Sequence, residues 1–207
     1  VSGWAVVVPA KVLAQAKSRL TPLTDAAPGL PHAELVLALL ADTVAAAVAS
    51  PAVAGLVVVT DDPRAAAVVT ALGARTVPDE PDAGLNPALA HGARSTGAAR
   101  VAALSSDLAA LRTAELTAAL DRAAGHPRSF VADAEGTGTT LLAVTGGDLD
   151  PRFGRGSAAA HAASGAVPLD GGWPGLRRDV DTAADLAAAA VLGLGPRTAA
   201  LAARLLA

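Results

Sequence analysis

Short, uninterrupted apolar runs alternate with longer helical stretches along the first half of this chain. Residues 4–8 (WAVVV) and 55–60 (GLVVVT) carry no charged side chain. A strand with one wet face alternates apolar and polar residues. A strand without that alternation is buried on both faces, as inside a parallel sheet. Between these runs lies a helical stretch at 33–49, rich in Leu, Ala and Val. Asp62 and Pro63 then supply an N-cap followed by Pro at the first helical position, opening a helix to about residue 72. Residues 76–78 fit a short third strand, and Asn86–Pro87 repeats the cap-then-Pro signal for a helix to about 96. Another strand at 100–104 and another helix at 113–124 follow. Strand, helix, strand repeated in this way implies right-handed βαβ units and a mixed, mostly parallel sheet in a three-layer α/β/α arrangement.

The second half breaks the rhythm. Runs at 129–133 and 139–144 lie too close for a helical crossover, so they imply an antiparallel insertion at a sheet edge. A short helix at 157–163, a last strand at 176–180, a helix at 183–192 and a terminal helix after Pro196 complete the expectation. With no internal repeat or low-complexity linker, residues 1–207 are expected to form one domain.

Composition removes several functions. Of all residues 52% are hydrophobic but only 2% aromatic, so the core must be built from small side chains. A net charge of −3 with no basic run speaks against a nucleic-acid or anionic-membrane surface. Without cysteine there is neither a disulfide nor a thiolate metal site. No apolar run approaches the roughly 20 residues of a membrane span, and the first residues lack a signal-peptide pattern. The expectation is a cytoplasmic protein.

Ligands of open α/β sheets bind beyond the carboxyl ends of the strands. Several polar clusters follow strands here. In RDVDTAAD (178–185), Asp179 and Asp181 flank one apolar residue and would share a face of an extended segment. Paired carboxylates repel unless a cation lies between them, and Mg²⁺ accepts one or two carboxylates plus substrate phosphates. The same residues also read as a turn with a Thr182/Asp185 capping box. Asp107, in LSSDL after the 100–104 strand, is placed either to ligate a metal or to cap a turn. Lys11, Lys17 and Arg19, in PAKVLAQAKSRL after the first strand, suit a triphosphate or a solvated helix start. GTGTT (136–140) offers glycines and hydroxyls to an anion, or forms a hairpin turn. In RFGRGS (152–157), Gly154, Gly156 and Ser157 would present amides and a hydroxyl at a helix start, where Ser157 also reads as an N-cap. Asn86, in GLN, is an N-cap or an amide that reads a nucleobase edge. His161, four residues after Ser157, is a candidate to help bind an anion. Walker A, GxGxxG and GxSxG patterns are absent.

PAKVLAQAKSRL, VVVTDD, GLN, LSSDL, GTGTT, FGRGS and RDVDTAADL, in this order and spacing, resemble the CofC/FbiD family of guanylyltransferases. That family makes a precursor of the deazaflavin coenzyme F-420. The resemblance implies a nucleotide-diphospho-sugar transferase-like, Rossmann-like fold. Pro9, Ala10 and Lys11 stand where the wider group carries a glycine-rich nucleotide loop. Ala109 and Ala183 replace prolines common in the family, changes that bear on loop stiffness.

By the resemblance, Asp107, Asp179 and Asp181 hold Mg²⁺, while Thr139, Gly154 and Ser157 contact phosphoenolpyruvate. Lys11, Lys17 and Arg19 bind the triphosphate and stabilise its developing charge, and Asn86 lies on the nucleotide side. The implied reaction joins GTP to phosphoenolpyruvate, releases pyrophosphate and gives enolpyruvoyl-2-diphospho-5′-guanosine. 2-Phospho-L-lactate and 3-phosphoglycerate remain alternative acceptors. A catalytically silent nucleotide-binding scaffold is the alternative of another class. Apolar residues scattered on helix faces leave a homodimer open.

Overall fold

The structure, a computed structural model, describes residues 3–10, 13, 17–26, 29–80 and 82–205. Its centre is a seven-stranded sheet: β1 (Trp4–Pro9), β2 (Val53–Val59), β3 (Arg75–Val77), β4 (Arg100–Leu104), β5 (Arg128–Ala132), β6 (Thr139–Thr145) and β7 (Val167–Pro168). The spatial order is β3-β2-β1-β4-β6-β5-β7. β1 pairs in parallel with β2 and β4, and β2 with β3, as the βαβ pattern requires. β6 is antiparallel to both β4 and β5.

The expected insertion is therefore real, but it does not hang on the edge. The later strand of the pair enters the sheet beside β4, and β7 covers the far side of β5. The burial of β6 explains the difference: six of its seven residues are buried, which only a strand with neighbours on both sides sustains.

After the short α1 (Thr21–Asp25), helices α2 (His32–Val48), α3 (Pro63–Ala71) and α5 (Thr113–Ala123) cover one face. α4 (Leu85–Thr96) and α6 (Ser157–Ala163) cover the other. Strand residues alternate between the two: Val6 and Val8 pack with Leu40 and Leu116, whereas Val7 packs with Leu89 and Phe130. The aliphatic core works because each fully buried Leu or Val contributes roughly 1.5–3 kcal/mol. α4 lies unusually close to the sheet at Gly92, where a Cβ would stand 2.6 Å from both Val7 and Val59 side chains. That approach sets the first turn of α4 over the end of β1.

Asp62 caps α3 as expected, accepting from the amides of Arg64 and Ala65. Two other expectations change. The strand expected at 176–180 is instead the short helix α7 (Pro174–Arg177) followed by an extended segment. Glu115, sixty residues away on α5, accepts from the amides of Gly175 and Leu176 and so caps α7. Leu176 and Val180 are both fully buried, in different clusters. The helix α8 (Ala183–Leu192) has the expected capping box between Thr182 and Asp185. α9 (Pro196–Leu205) is capped from a distance by buried Asp42, which accepts from the amides of Arg197 and Thr198. No helix among the described residues is long and apolar enough to cross a membrane.

Candidate functional site

The carboxyl ends of β1 and β4 open into a cleft of about 440 Å³. Pro9 and the Ser105–Ser106–Asp107 turn form its floor. Lys17 and Arg19 come from the segment after β1, Leu85 and Leu89 from α4, and Phe153 and Asp181 from the second half of the chain. This is the place where an open α/β sheet receives a ligand.

Backbone bonds hold the floor. The Ser105 amide donates to Thr140 O (2.9 Å) and the Leu108 amide to Thr43 Oγ1 (2.9 Å). The Val180 amide donates to Asp107 O (3.2 Å), tying the turn after β4 to the segment before α8. Asp107, Asp179 and Asp181 are brought to one corner by that last bond. The Lys17 ammonium lies between Asp107 and Asp181 and donates to Oδ2 of the first and Oδ1 of the second. Asp107 Oδ1 is buried without a partner.

The charges in this corner do not balance. Burial disfavours the Lys17 cation, but Asp107 and Asp181 outweigh it and hold its pKa above the usual lysine value. Burial and then the negative charges of Asp107 and Asp181 push the Asp179 carboxyl up to about 7, against a partial offset from Lys17. The Asp179 oxygens gather within 4.8 Å of those of Asp133 and Glu135. Among the described residues, the three acids that gather this tightly are thus not the expected trio: Asp107 and Asp181 approach each other through the shared Lys17 ammonium, while Asp179 turns toward Asp133 and Glu135. An all-oxygen donor set with an orphaned buried oxygen and a repelled carboxyl fits a hard divalent cation.

Behind the Phe153 lining of the cleft lies an internally bonded network. Asp133 accepts from the amides of Thr137 (2.8 Å) and Gly138 (2.7 Å), so the GTGTT glycines serve the turn. A Cβ on Gly138 would stand 2.3 Å from Asp133 Oδ2. Thr139 Oγ1 lies 2.9 Å from His161 Nδ1, and His161 Nε2 accepts from the Arg152 amide at 2.9 Å. A backbone amide can only donate, so Nδ1 must carry the ring hydrogen and donate to Thr139. The Thr139 hydroxyl hydrogen is left to point elsewhere. Burial, then the cations Arg128 and Arg152, push the His161 pKa down to about 4. This corrects its expected role with anions: the ring is neutral, fully buried and bonded through both nitrogens.

Two more expected roles change here. Ser157 is not an N-cap; that position belongs to Gly156, in the left-handed region at φ 73°. The Ser157 amide donates to Gly154 O and the Ala158 amide to Thr137 O, which joins FGRGS to GTGTT. Thr139, Gly154 and Ser157 therefore belong to one bonded unit, outside the residues that line the cleft. Asn86 is not an N-cap either, since Gly84 precedes α4. Its amide grips the Phe153 backbone from both ends, Nδ2 to Phe153 O (3.0 Å) and Oδ1 from Phe153 N (2.7 Å), which uses one of its two hydrogens and one of its two lone pairs. The Phe153 ring then meets His161 edge-on at 5.1 Å.

Lys17, Arg19, Asp107 and Asp181 line the cleft as expected, with Asp179 within electrostatic reach; Lys11 lies outside the described residues. Sequence reasoning missed Asp133 and Glu135, which sit in an ordinary turn pattern. It also missed the apolar lining of Leu85, Leu89 and Phe153. Scarcity was a usable signal for Phe153, one of two phenylalanines in the chain.

Relatives match nearly the whole of this chain. A phosphoenolpyruvate guanylyltransferase of Geodermatophilus obscurus is 68% identical over 203 residues, 97% of this chain and 94% of that protein. One from Salinispora arenicola is 59% identical over 201 residues, 96% of this chain and 92% of that protein. Among solved structures, a protein of Desulfovibrio desulfuricans G20, provisionally named a nucleotide-diphospho-sugar transferase, superposes with a TM-score of 0.71. That match has 16% identity and covers 99% of this chain and 97% of the other, so it establishes a shared fold. The profile of the guanylyl transferases described as CofC-like matches residues 4–165, and the chain belongs to that family.

Proposed function

We propose that this protein is a cytoplasmic guanylyltransferase that joins GTP to phosphoenolpyruvate and releases pyrophosphate. The product would be enolpyruvoyl-2-diphospho-5′-guanosine, a precursor for coenzyme F-420. The observation that carries this reading is the acid corner with its orphaned Asp107 oxygen, at the mouth of the sheet, in a chain 68% identical to a protein named for this activity.

In this reading a phosphate oxygen of phosphoenolpyruvate bonds to the α-phosphorus of GTP as the bond to the β-phosphate bridging oxygen breaks. The electron pair leaves with pyrophosphate. The attacking phosphate has a second pKa of about 6 and is already largely ionised at neutral pH, so no base is required. That agrees with a His161 locked in the neutral form. The obstacle is bringing anions together. Lys17 and Arg19, with Lys11, would bind the triphosphate and stabilise charge that builds on the departing pyrophosphate. Thr139, Gly154 and Ser157 would orient phosphoenolpyruvate, with the free hydroxyl hydrogen of Thr139 as one donor. Mg²⁺ bound by Asp107, Asp179 and Asp181 would supply neutralisation between the two phosphates.

The test is pyrophosphate release with Mg²⁺, with GTP or CTP as donor and phosphoenolpyruvate, 2-phospho-L-lactate or 3-phosphoglycerate as acceptor. GTP with phosphoenolpyruvate is expected to react fastest, with the product identified by mass. Preference for another acceptor would reassign the substrate, and absence of turnover with every pair would overturn the reading.

A further inference from the structure

The Lys17 ammonium occupies the space where a metal between Asp107 and Asp181 would have to sit. A divalent ion such as Mg²⁺ needs its oxygens at about 2.0–2.1 Å. The ammonium and such an ion cannot share these two carboxylates in this geometry. The Lys17 side chain is only 18% exposed, so expelling it without a new anion strands a charge in a poorly solvated place. Its backbone is in the left-handed region (φ 57°, ψ 42°) ahead of a short turn in which the Leu20 amide donates to Lys17 O at 2.8 Å. The flexible four-carbon stem lets the ammonium move without moving the backbone. That stem lines the same cleft as Arg19, so a triphosphate bound there would meet the displaced ammonium.

We propose that Lys17 is an internal counter-cation: it fills the acid corner of the free protein and transfers to the triphosphate when the metal–nucleotide complex arrives. The protein then takes up divalent metal weakly by itself and well together with nucleotide. Site occupancy is made conditional on substrate, and free metal is kept from trapping the acids. This rests on the reading that the acid corner accepts a divalent ion.

Mn²⁺ is a suitable probe, followed by electron paramagnetic resonance and calorimetry on the full chain, first alone and then as preformed Mn–GTP. Lys17→Met should bind free Mn²⁺ about tenfold or more tightly than the parent, as expected when a like charge is removed from beside a carboxylate site. The same variant should bind Mn–GTP more weakly, because the triphosphate loses its contact. A merely structural role would weaken both. Lys17→Gln, which keeps much of the stem, should move both affinities in the same directions and guards against a fold lost in Lys17→Met. Arg19→Met should leave free-Mn²⁺ affinity nearly unchanged. Free-Mn²⁺ affinity unaltered or reduced in both Lys17 variants, or an equal gain in Arg19→Met, would overturn the counter-cation. If the parent binds neither Mn²⁺ nor Mn–GTP, the metal reading of the corner itself is wrong and the counter-cation falls with it.

Discussion

The acid corner of the cleft and the bonded network behind its Phe153 are built on opposite electrostatic plans. In the first, Lys17 is shared between Asp107 and Asp181, a buried Asp107 oxygen has no partner, and Asp179 is forced toward neutrality by its neighbours. In the other, Asn86, Phe153, Arg152, His161 and Thr139 form a chain of mutual bonds in which only the Thr139 hydroxyl hydrogen is left to spare. A satisfied network fixes geometry and asks for nothing further. An unsatisfied one is stable only within a fold that over-determines it, and it gains most when a ligand arrives. The difference teaches where to look for chemistry: the acid corner is poised for a ligand, while the histidine network is a scaffold that gives the cleft its shape.

The sharpest way to break this contrast is Asp107→Asn. It should lower pyrophosphate release by about 10³-fold, comparable to losing a preorganised transition-state contact, with an unchanged circular dichroism spectrum. Near-normal turnover at saturating Mg²⁺ would move the chemistry out of this corner. Asp179→Asn and Asp181→Asn should act in the same direction.

The histidine network should answer to stability. His161 has a folded pKa of about 4, below the ordinary 6.5 of an unfolded chain. Between these values the unfolded state holds the proton and the folded state does not, so stability rises with pH. The contribution is complete above about pH 6.5 and is lost as pH falls toward 4, roughly 3 kcal/mol in all. His161→Phe should flatten that part of the pH–stability profile in denaturant titrations. A slope unchanged from the parent would assign the acid sensitivity to another group.

Asn86→Ala removes both bonds to the Phe153 backbone and should cost about 1–2 kcal/mol. If the network only shapes the cleft, KM should rise several-fold with kcat little changed. A collapse in kcat with KM unaltered would give Asn86 a part in the chemistry. Smallest of all, Thr182→Ala breaks the capping box and should cost about 1 kcal/mol with turnover nearly intact. That variant separates the two roles of RDVDTAAD, helix cap and acid pair.

Local signals in the sequence carried most of the fold. The strand at Arg100–Leu104 follows from its apolar run and the helix at Ala183–Leu192 from its Thr182 cap. What escaped depends on distant partners. α7 exists where a strand was expected because Glu115 reaches across to cap it, and β6 enters the sheet interior because β4 offers an open edge. The candidate site divides the same way. Aspartates at strand ends and cations after the first strand were legible as types in places. The tautomer of His161, the double grip of Asn86 on Phe153 and the wedging of Lys17 between two acids are three-dimensional facts that no spacing encodes.

The most direct test of the acid corner is anomalous diffraction from crystals of the protein grown with Mn²⁺ and GTP. The account predicts a peak ligated by Asp107, Asp179 and Asp181, with the Lys17 ammonium turned to the triphosphate. A metal seated instead among Asp133, Glu135 and Asp179, with Lys17 still bound to Asp107, would contradict it.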